Sequence, residues 1–258
     1  MSTMIDLIYT SGDNAHFLDL CQRANWMAGI RSDKYPVTSA TRIQFIDVWY
    51  KFPNFARHLE LVKRFKPLYV TVPDLSERMV SREDIRRALR QAEELAPYCG
   101  TTLIVPKLSG QLALLPKEMP IGYSVPSRYG SASYPLWELE GRQVHLLGGS
   151  PHKQMNLYRY ISCLAVVVSA DGNMHQYMSG YGKYWRAGRW VKHPAHGSGD
   201  ASVSYECIAW SLRNIRQAWL SVFKYIRCPS CGDGLGLSQW CAFCQDARRA
   251  APIASRSL

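Results

Sequence analysis

Two kinds of hydrophobic pattern alternate along most of this chain. Short apolar runs, rich in Val, Ile and aromatic residues, cover residues 6–12, 26–32, 43–47, 68–74, 102–108, 121–127, 144–149 and 165–171. Runs that are apolar throughout, rather than at every second position, fit strands covered on both faces, as in a parallel sheet. Between most of them lie stretches with helical spacing, at 14–25, 54–65, 81–98, 151–161 and 204–225, and a short turn at 134–139. Ser81 precedes an acidic first turn (Glu83, Asp84), and Pro151 opens the helix at 151–161, both features of helix starts. Strands alternating with helices imply right-handed βαβ units. Eight such units predict an α/β fold, a compact (β/α)8 TIM-type barrel over residues 1–226. The second, fifth and sixth connections look short or irregular, and a doubly wound open sheet is the alternative.

Three of the predicted strands end in aspartate: IQFID at Asp47, LYVTVPD at Asp74 and AVVVSAD at Asp171. In a barrel all three open onto the C-terminal face, where active sites sit. One such residue would be read as a cap for the following helix, but three on one rim point to a site. Paired carboxylates suit chemistry at a sugar anomeric carbon, one as nucleophile and one handling protons. A carboxylate also accepts from the N–H groups of a guanine-like edge. Gly122, Gly148 and Gly149 fall on the same rim, where glycine lets a flat ligand approach the backbone.

A net charge of +11 favours a polyanionic partner, with nucleic acid first. The segment 172–199, directly after Asp171, reads as a basic aromatic loop. It carries Lys183, Arg186, Arg189 and Lys192 without an acid, interleaved with Tyr177, Tyr181, Tyr184, Trp185 and Trp190. Tyr181, Lys183, Trp185, Arg186, Arg189 and Lys192 are the candidate nucleic-acid contacts, the cations for phosphates and the rings for stacking on bases. His175, His193 and His196 are expected as surface or phosphate contacts rather than metal ligands. Of eight cysteines, Cys21, Cys99, Cys163 and Cys207 are expected as buried thiols. Cys228, Cys231, Cys241 and Cys244 form two CxxC knuckles, a four-thiolate set for structural Zn2+ within residues 227–247. Residues 248–258 read as a flexible tail. No apolar run is long enough to span a bilayer, and the first residues read as a strand of a cytoplasmic protein.

The order of these motifs resembles the tRNA-guanine transglycosylase superfamily. The resemblance runs from about residue 43 to 171 and is strongest to the shorter DpdA-type 7-deazaguanine DNA transglycosylases of bacteria and phages. FID ending at Asp47 resembles the strand of the general acid/base, LYVTVPD the strand whose aspartate (here Asp74) reads the purine edge, and VVSAD the strand of the nucleophile (here Asp171). LIVPKLSG places Lys107 where the family often has glutamine before glycine. IGYSVPSRYG, with Gly122 and Tyr123, and HLLGGSPHKQ, with Gly148 and Gly149, resemble the segments that contact the base. The resemblance implies exchange of guanine in DNA for a free 7-deazaguanine such as preQ0, through a covalent Asp–sugar intermediate and without an organic cofactor. Three alternatives stay open: a tRNA-directed enzyme, a base-excising glycosylase, and a non-catalytic nucleic-acid-binding accessory subunit. A homodimer is also left open.

Overall fold

The computed structural model describes residues 5–10, 14–34, 42–127 and 130–224. The zinc-ligand candidates Cys228, Cys231, Cys241 and Cys244, and the tail at 248–258, lie outside these residues.

Eight strands form one parallel sheet: β1 (Asp6–Thr10), β2 (Met27–Arg31), β3 (Ile43–Asp47), β4 (Tyr69–Thr71), β5 (Thr101–Leu103), β6 (Ile121–Ser124), β7 (Gln143–Leu147) and β8 (Val166–Gly172). The sheet order is β5-β4-β3-β2-β1-β8-β7-β6, so each strand lies beside its sequence neighbours and β8 returns to β1. A parallel bridge between Ile104, just beyond β5, and Ile121 of β6 brings the two edges together. Gly122 N–H donates to the Ile104 carbonyl there at 2.8 Å. The result is a nearly closed, barrel-like sheet, compatible with a TIM-type barrel. A doubly wound sheet is excluded, because it needs a reversal of strand order that is absent.

Side chains alternate across this wall. Ile8, Phe45, Tyr69 and Leu103 pack together inside it, while Leu7, Ile30, Ile46, Val70 and Leu146 face the outer layer. That layer holds α1 (Ala15–Arg23), α2 (Phe55–Phe65), α3 (Arg82–Leu95) and α4 (Pro151–Ile161). Each starts where a short polar side chain takes an otherwise unsatisfied N–H: Asn14 from Phe17, Asn54 from Arg57, Ser81 from Asp84 and Ser150 from Lys153. Among the described residues, the connections after β5 and β6 each contain a single 3-10 turn, Leu112–Leu114 and Leu136–Leu139, as their irregular patterns predict.

The segment after β8 is more ordered than a loop. It forms α5 (Met174–Ser179) and an antiparallel hairpin, β9 (Lys183–Arg186) and β10 (Arg189–Lys192), before the long helix α6 (Ser202–Lys224). Ala187 and Gly188 make the two-residue turn, both with positive φ. Helix α6 holds the hairpin through Ser211 Oγ, which accepts from Trp185 N–H at 2.9 Å, and Asn214 Nδ2, which donates to the Trp185 carbonyl at 2.8 Å. Among the described residues no helix is long and apolar enough to cross a membrane.

Candidate functional site

A cleft of about 410 Å³ opens at the C-terminal ends of the strands. Asp47, Asp74, Lys107, Ser124, Gly148, Gly149 and Lys153 line it, among others. None of the three rim aspartates caps a helix. Asn54 and Ser81 cap α2 and α3, and Asn173 precedes α5. The capping explanation therefore fails for Asp47, Asp74 and Asp171.

Asp47 ends β3, with one oxygen accepting from Thr71 Oγ1 at 2.7 Å. The same hydroxyl accepts from Val48 N–H at 2.9 Å, which fixes its rotor toward Asp47. Burial, then the nearby charges of Asp171 and Asp74, push the Asp47 carboxyl up to about 8, against the opposing pull of Thr71 and Arg31. Arg31 is itself held by a two-pronged bond to Asp33, both N···O distances 2.6 Å, and lies over the Trp49 ring.

Asp74 sits beyond β4 and is paired with Lys107, Nζ to Oδ2 at 2.7 Å. The Lys107 side chain is only 5% exposed, so this is a buried ion pair. Its ammonium also donates to Ser124 Oγ at 2.7 Å. Burial raises the Asp74 carboxyl, and the Lys107 charge works against that rise. Gln111 locks the Lys107 backbone in place: its Oε1 accepts from the Lys107 and Leu108 N–H groups, and its Nε2 donates to the Ser76 carbonyl.

Asp171 lies deeper, 6% exposed, behind the turn made by Gly148 and Gly149. Oδ1 accepts from Gly148 N–H at 2.8 Å and lies 3.2 Å from His145 Nε2, and Oδ2 accepts from Thr10 Oγ1 at 2.9 Å. Gln154, on α4, donates to both the Asp171 and the Gly148 carbonyls, tying strand, turn and helix together. Gly148 and Gly149 have φ of +68° and +81°, and a Cβ at Gly149 would fall 2.4 Å from Val125. The turn thus requires glycine sterically as well as conformationally.

Asp47, Asp74, Lys107, Gly148 and Gly149 therefore line one cleft, with Asp171 beneath it. Gly122 and Tyr123 do not line it. They lie earlier on β6, where Tyr123 alternates outward and packs edge-on against Tyr134. The residues of that segment in the cleft are Ser124, Val125, Pro126, Ser127 and Gly130.

The basic aromatic residues divide in two. Tyr181 is 53% exposed and its ring meets Tyr177 edge-on. Trp185 is buried in the core, 4% exposed, and the adjacent Tyr184 is buried as well, packed on Val203, Cys207 and Trp210 of α6. The hairpin register sets Lys183 opposite Lys192 and Arg186 opposite Arg189. Like charges directly across a ladder are destabilising, and a bound anion relieves them. Arg186 and Trp185 also border a groove between α4, the hairpin turn and α6, with His152, Arg159 and Tyr160 on its far side.

Two expectations are corrected. His175 and His193 are buried, 2% and 6% exposed. His175 packs against Tyr9 and Trp26, and His193 pairs with Glu206 of α6 at 2.9 Å, because the segment folds back onto the barrel. Of the scattered cysteines, Cys21 and Cys207 are buried, whereas Cys99 and Cys163 are partly exposed.

Sequence reasoning missed Thr10, Thr71, Ser124, His145, Lys153 and Gln154. His145, in VHLLGG, gave one signal: a titratable residue inside an otherwise apolar strand pattern.

Residues 21–220 match a family of unknown function, DUF6610, and the chain belongs to that family. The match takes in β2 to β8, the whole cleft lining and the hairpin. A search of the curated proteins gave no match.

Proposed function

We propose that this protein is a transglycosylase that exchanges guanine in DNA for a 7-deazaguanine base of the preQ0 type. One observation carries the reading: three carboxylates, Asp47, Asp74 and Asp171, converge on one cleft at the strand ends of a barrel-like sheet. Asp47, pushed up to about 8, holds a proton near neutral pH and suits protonation of a departing base. Asp171 attacks C1′ from below as guanine leaves with the proton from Asp47, giving a sugar ester. The incoming base returns its proton to Asp47, bonds to C1′ and frees Asp171. Asp74, oriented by Lys107, accepts from the N–H edge of the purine. Lys153, at the first turn of α4 beside the cleft, suits a flanking phosphate. The like-charge pairs of the hairpin suit the strand beyond it. In this reading the barrel is a (β/α)8 domain followed by a zinc knuckle. Cys228, Cys231, Cys241 and Cys244 supply four thiolates, a closed set that stabilises and does not catalyse.

A second reading has one observation in its favour. The Asp171 carboxylate is 6% exposed, with Thr10, His145 and Gly148 on its oxygens. A carboxylate so occupied suits electrostatic support of an oxocarbenium-like sugar better than attack. Water would then complete the reaction, and the protein would be a base-excising glycosylase.

The test incubates the protein with guanine-containing DNA and, in parallel, tRNA, each with labelled preQ0. Label in DNA with wild type and none with Asp171→Ala supports exchange. Equal labelling by Asp171→Ala removes Asp171 as nucleophile. Free guanine without label identifies excision, label in tRNA alone identifies the tRNA reaction, and binding without either product identifies an accessory subunit.

A further inference from the structure

The groove between α4, the turn of the β9–β10 hairpin and α6 has a volume of about 930 Å³. His152, Arg159 and Tyr160 enter it from α4, at the spacing of one helix face, and all three are exposed. Gln217 enters it from α6 and Arg186 from the hairpin. No carboxylate is among its lining residues. Among the described residues neither Arg159 nor Arg186 has an ion-pair partner. Arg186 instead stands opposite Arg189 across the ladder. Two guanidinium groups therefore reach one concavity from different walls, with no acid to offset them.

A concavity lined by one sign of charge focuses its field and gathers counter-ions. The guanidinium fork matches the oxygens of a phosphate group. The rest of the lining asks for more than an inorganic anion. Tyr160 is 63% exposed, a ring held out toward solvent beside the two cations. A ring so placed offers a stacking face to an unpaired base. Gln217 makes no side-chain hydrogen bond among the described residues, so its amide is free to donate and accept. Cations for phosphate, a ring for a base and an amide for a base edge together complement a nucleotide strand. The groove also continues from the cleft: His152 borders the groove, and the next residue, Lys153, lines the cleft.

We propose that this groove carries single-stranded DNA continuing from a nucleotide held in the cleft, with a phosphate between Arg159 and Arg186 and a base stacked on Tyr160. The inference rests on the reading of DNA as the substrate and adds the path of the strand. A single strand fits better than a duplex for two reasons. Stacking on a tyrosine needs a base that has no partner. A base also reaches an enclosed cleft only where the duplex has opened around it. From His152 to Tyr160 the α4 wall is about 12 Å long, so the strand runs along the helix away from the cleft.

The test uses the full chain and a fluorescently labelled single-stranded oligodeoxynucleotide, read by anisotropy across a salt series. Tyr160→Ala is expected to weaken binding about 5- to 150-fold with the salt slope unchanged, and Tyr160→Phe to bind as wild type does. Arg159→Gln is expected to reduce the salt slope by about 0.7. An oligodeoxynucleotide carrying 5-iododeoxyuridine, irradiated with the wild type, is expected to crosslink at Tyr160. Wild-type binding by both Tyr160→Ala and Arg159→Gln, with no crosslink in the groove, would overturn the proposal. Unchanged binding with a lowered melting temperature in both variants would also overturn it, because the chain itself then fills the groove. Unchanged binding with loss of a dimer in sedimentation would overturn it in favour of a second copy. Tighter binding of the matching RNA oligonucleotide would overturn the assignment to DNA. The exchange assay separates the two readings. Crosslinking at Tyr160 without base exchange keeps the groove and removes the transglycosylase, whereas base exchange with binding unchanged in both variants removes the groove alone.

Discussion

At Asp47, the carboxyl is worth more to the fold protonated than charged. Its proton is bound more tightly in the folded chain (about 8) than in the unfolded one (3.8). Stability from this group is therefore full below pH 3.8 and is lost as pH rises through about 8. Asp47→Asn removes that loss. Thermal melts of the variant and the wild type should coincide near pH 4 and separate toward pH 8, with the variant higher. Lys107 makes the opposite case, a charge whose removal harms its neighbour. Lys107→Met leaves Asp74, 18% exposed at the cleft, without its counter-charge, and denaturant unfolding should show a loss of about 1–3 kcal/mol. His175 argues at the other end of the pH scale. Burial pulls it from 6.5 down to about 3, so it stays neutral in the fold while the unfolded chain takes up a proton below 6.5. Stability should fall as pH drops from 6.5 toward 3, by up to about 1.4 kcal/mol per unit for this group. In His175→Phe, whose ring can occupy the contacts with Tyr9 and Trp26, the acid limb of a melting-temperature profile should be shallower.

At the scale of elements, the unit from β7 through α4 to β8 organises the site. Its turn must place Gly148 N–H on Asp171 while Gly149 passes Val125. Gly149→Ala brings both a positive φ and a clash, and should cost about 1–3 kcal/mol by chemical denaturation. The hairpin β9–β10 is the second such element. Its residues were legible as basic and aromatic, but the division of labour was not. Whether a tryptophan faces a ligand or a helix depends on a strand period of two and on where α6 lies, and segment 172–199 has no pattern long enough to reveal either. The strand ends show the same limit. Residues 68–74 read as one strand, yet the regular strand ends at Thr71; Val72 and Leu75 N–H still donate to the Leu103 and Val105 carbonyls, which holds the segment carrying Asp74 alongside Lys107.

For the molecule as a whole, charge is the property most directly readable and most directly testable. If the proposed function holds, a chain of net charge +11 should bind DNA with a steep salt dependence. Reversing the two cross-strand repulsions with Lys183→Glu and Arg186→Glu should turn each pair into an attraction and reduce the salt slope by about 2, measured by fluorescence anisotropy across a salt series. A slope unchanged from wild type would place the nucleic acid elsewhere on the surface.

The sequence alone determined the strand and helix order, the parallel character of the sheet and the rim position of Asp47, Asp74 and Asp171. Hydrophobic period is a local property, and a residue at the end of a buried strand has only one edge to occupy. Tertiary structure alone decided that β8 returns to β1, that Lys107 and Asp74 pair, and that His145 bridges Asp171 and Ser169 inside the barrel. Those facts depend on sheet register between segments far apart in the chain. A shift of one residue would send His145 out under the helices and leave the same pattern of apolar and polar positions in the sequence.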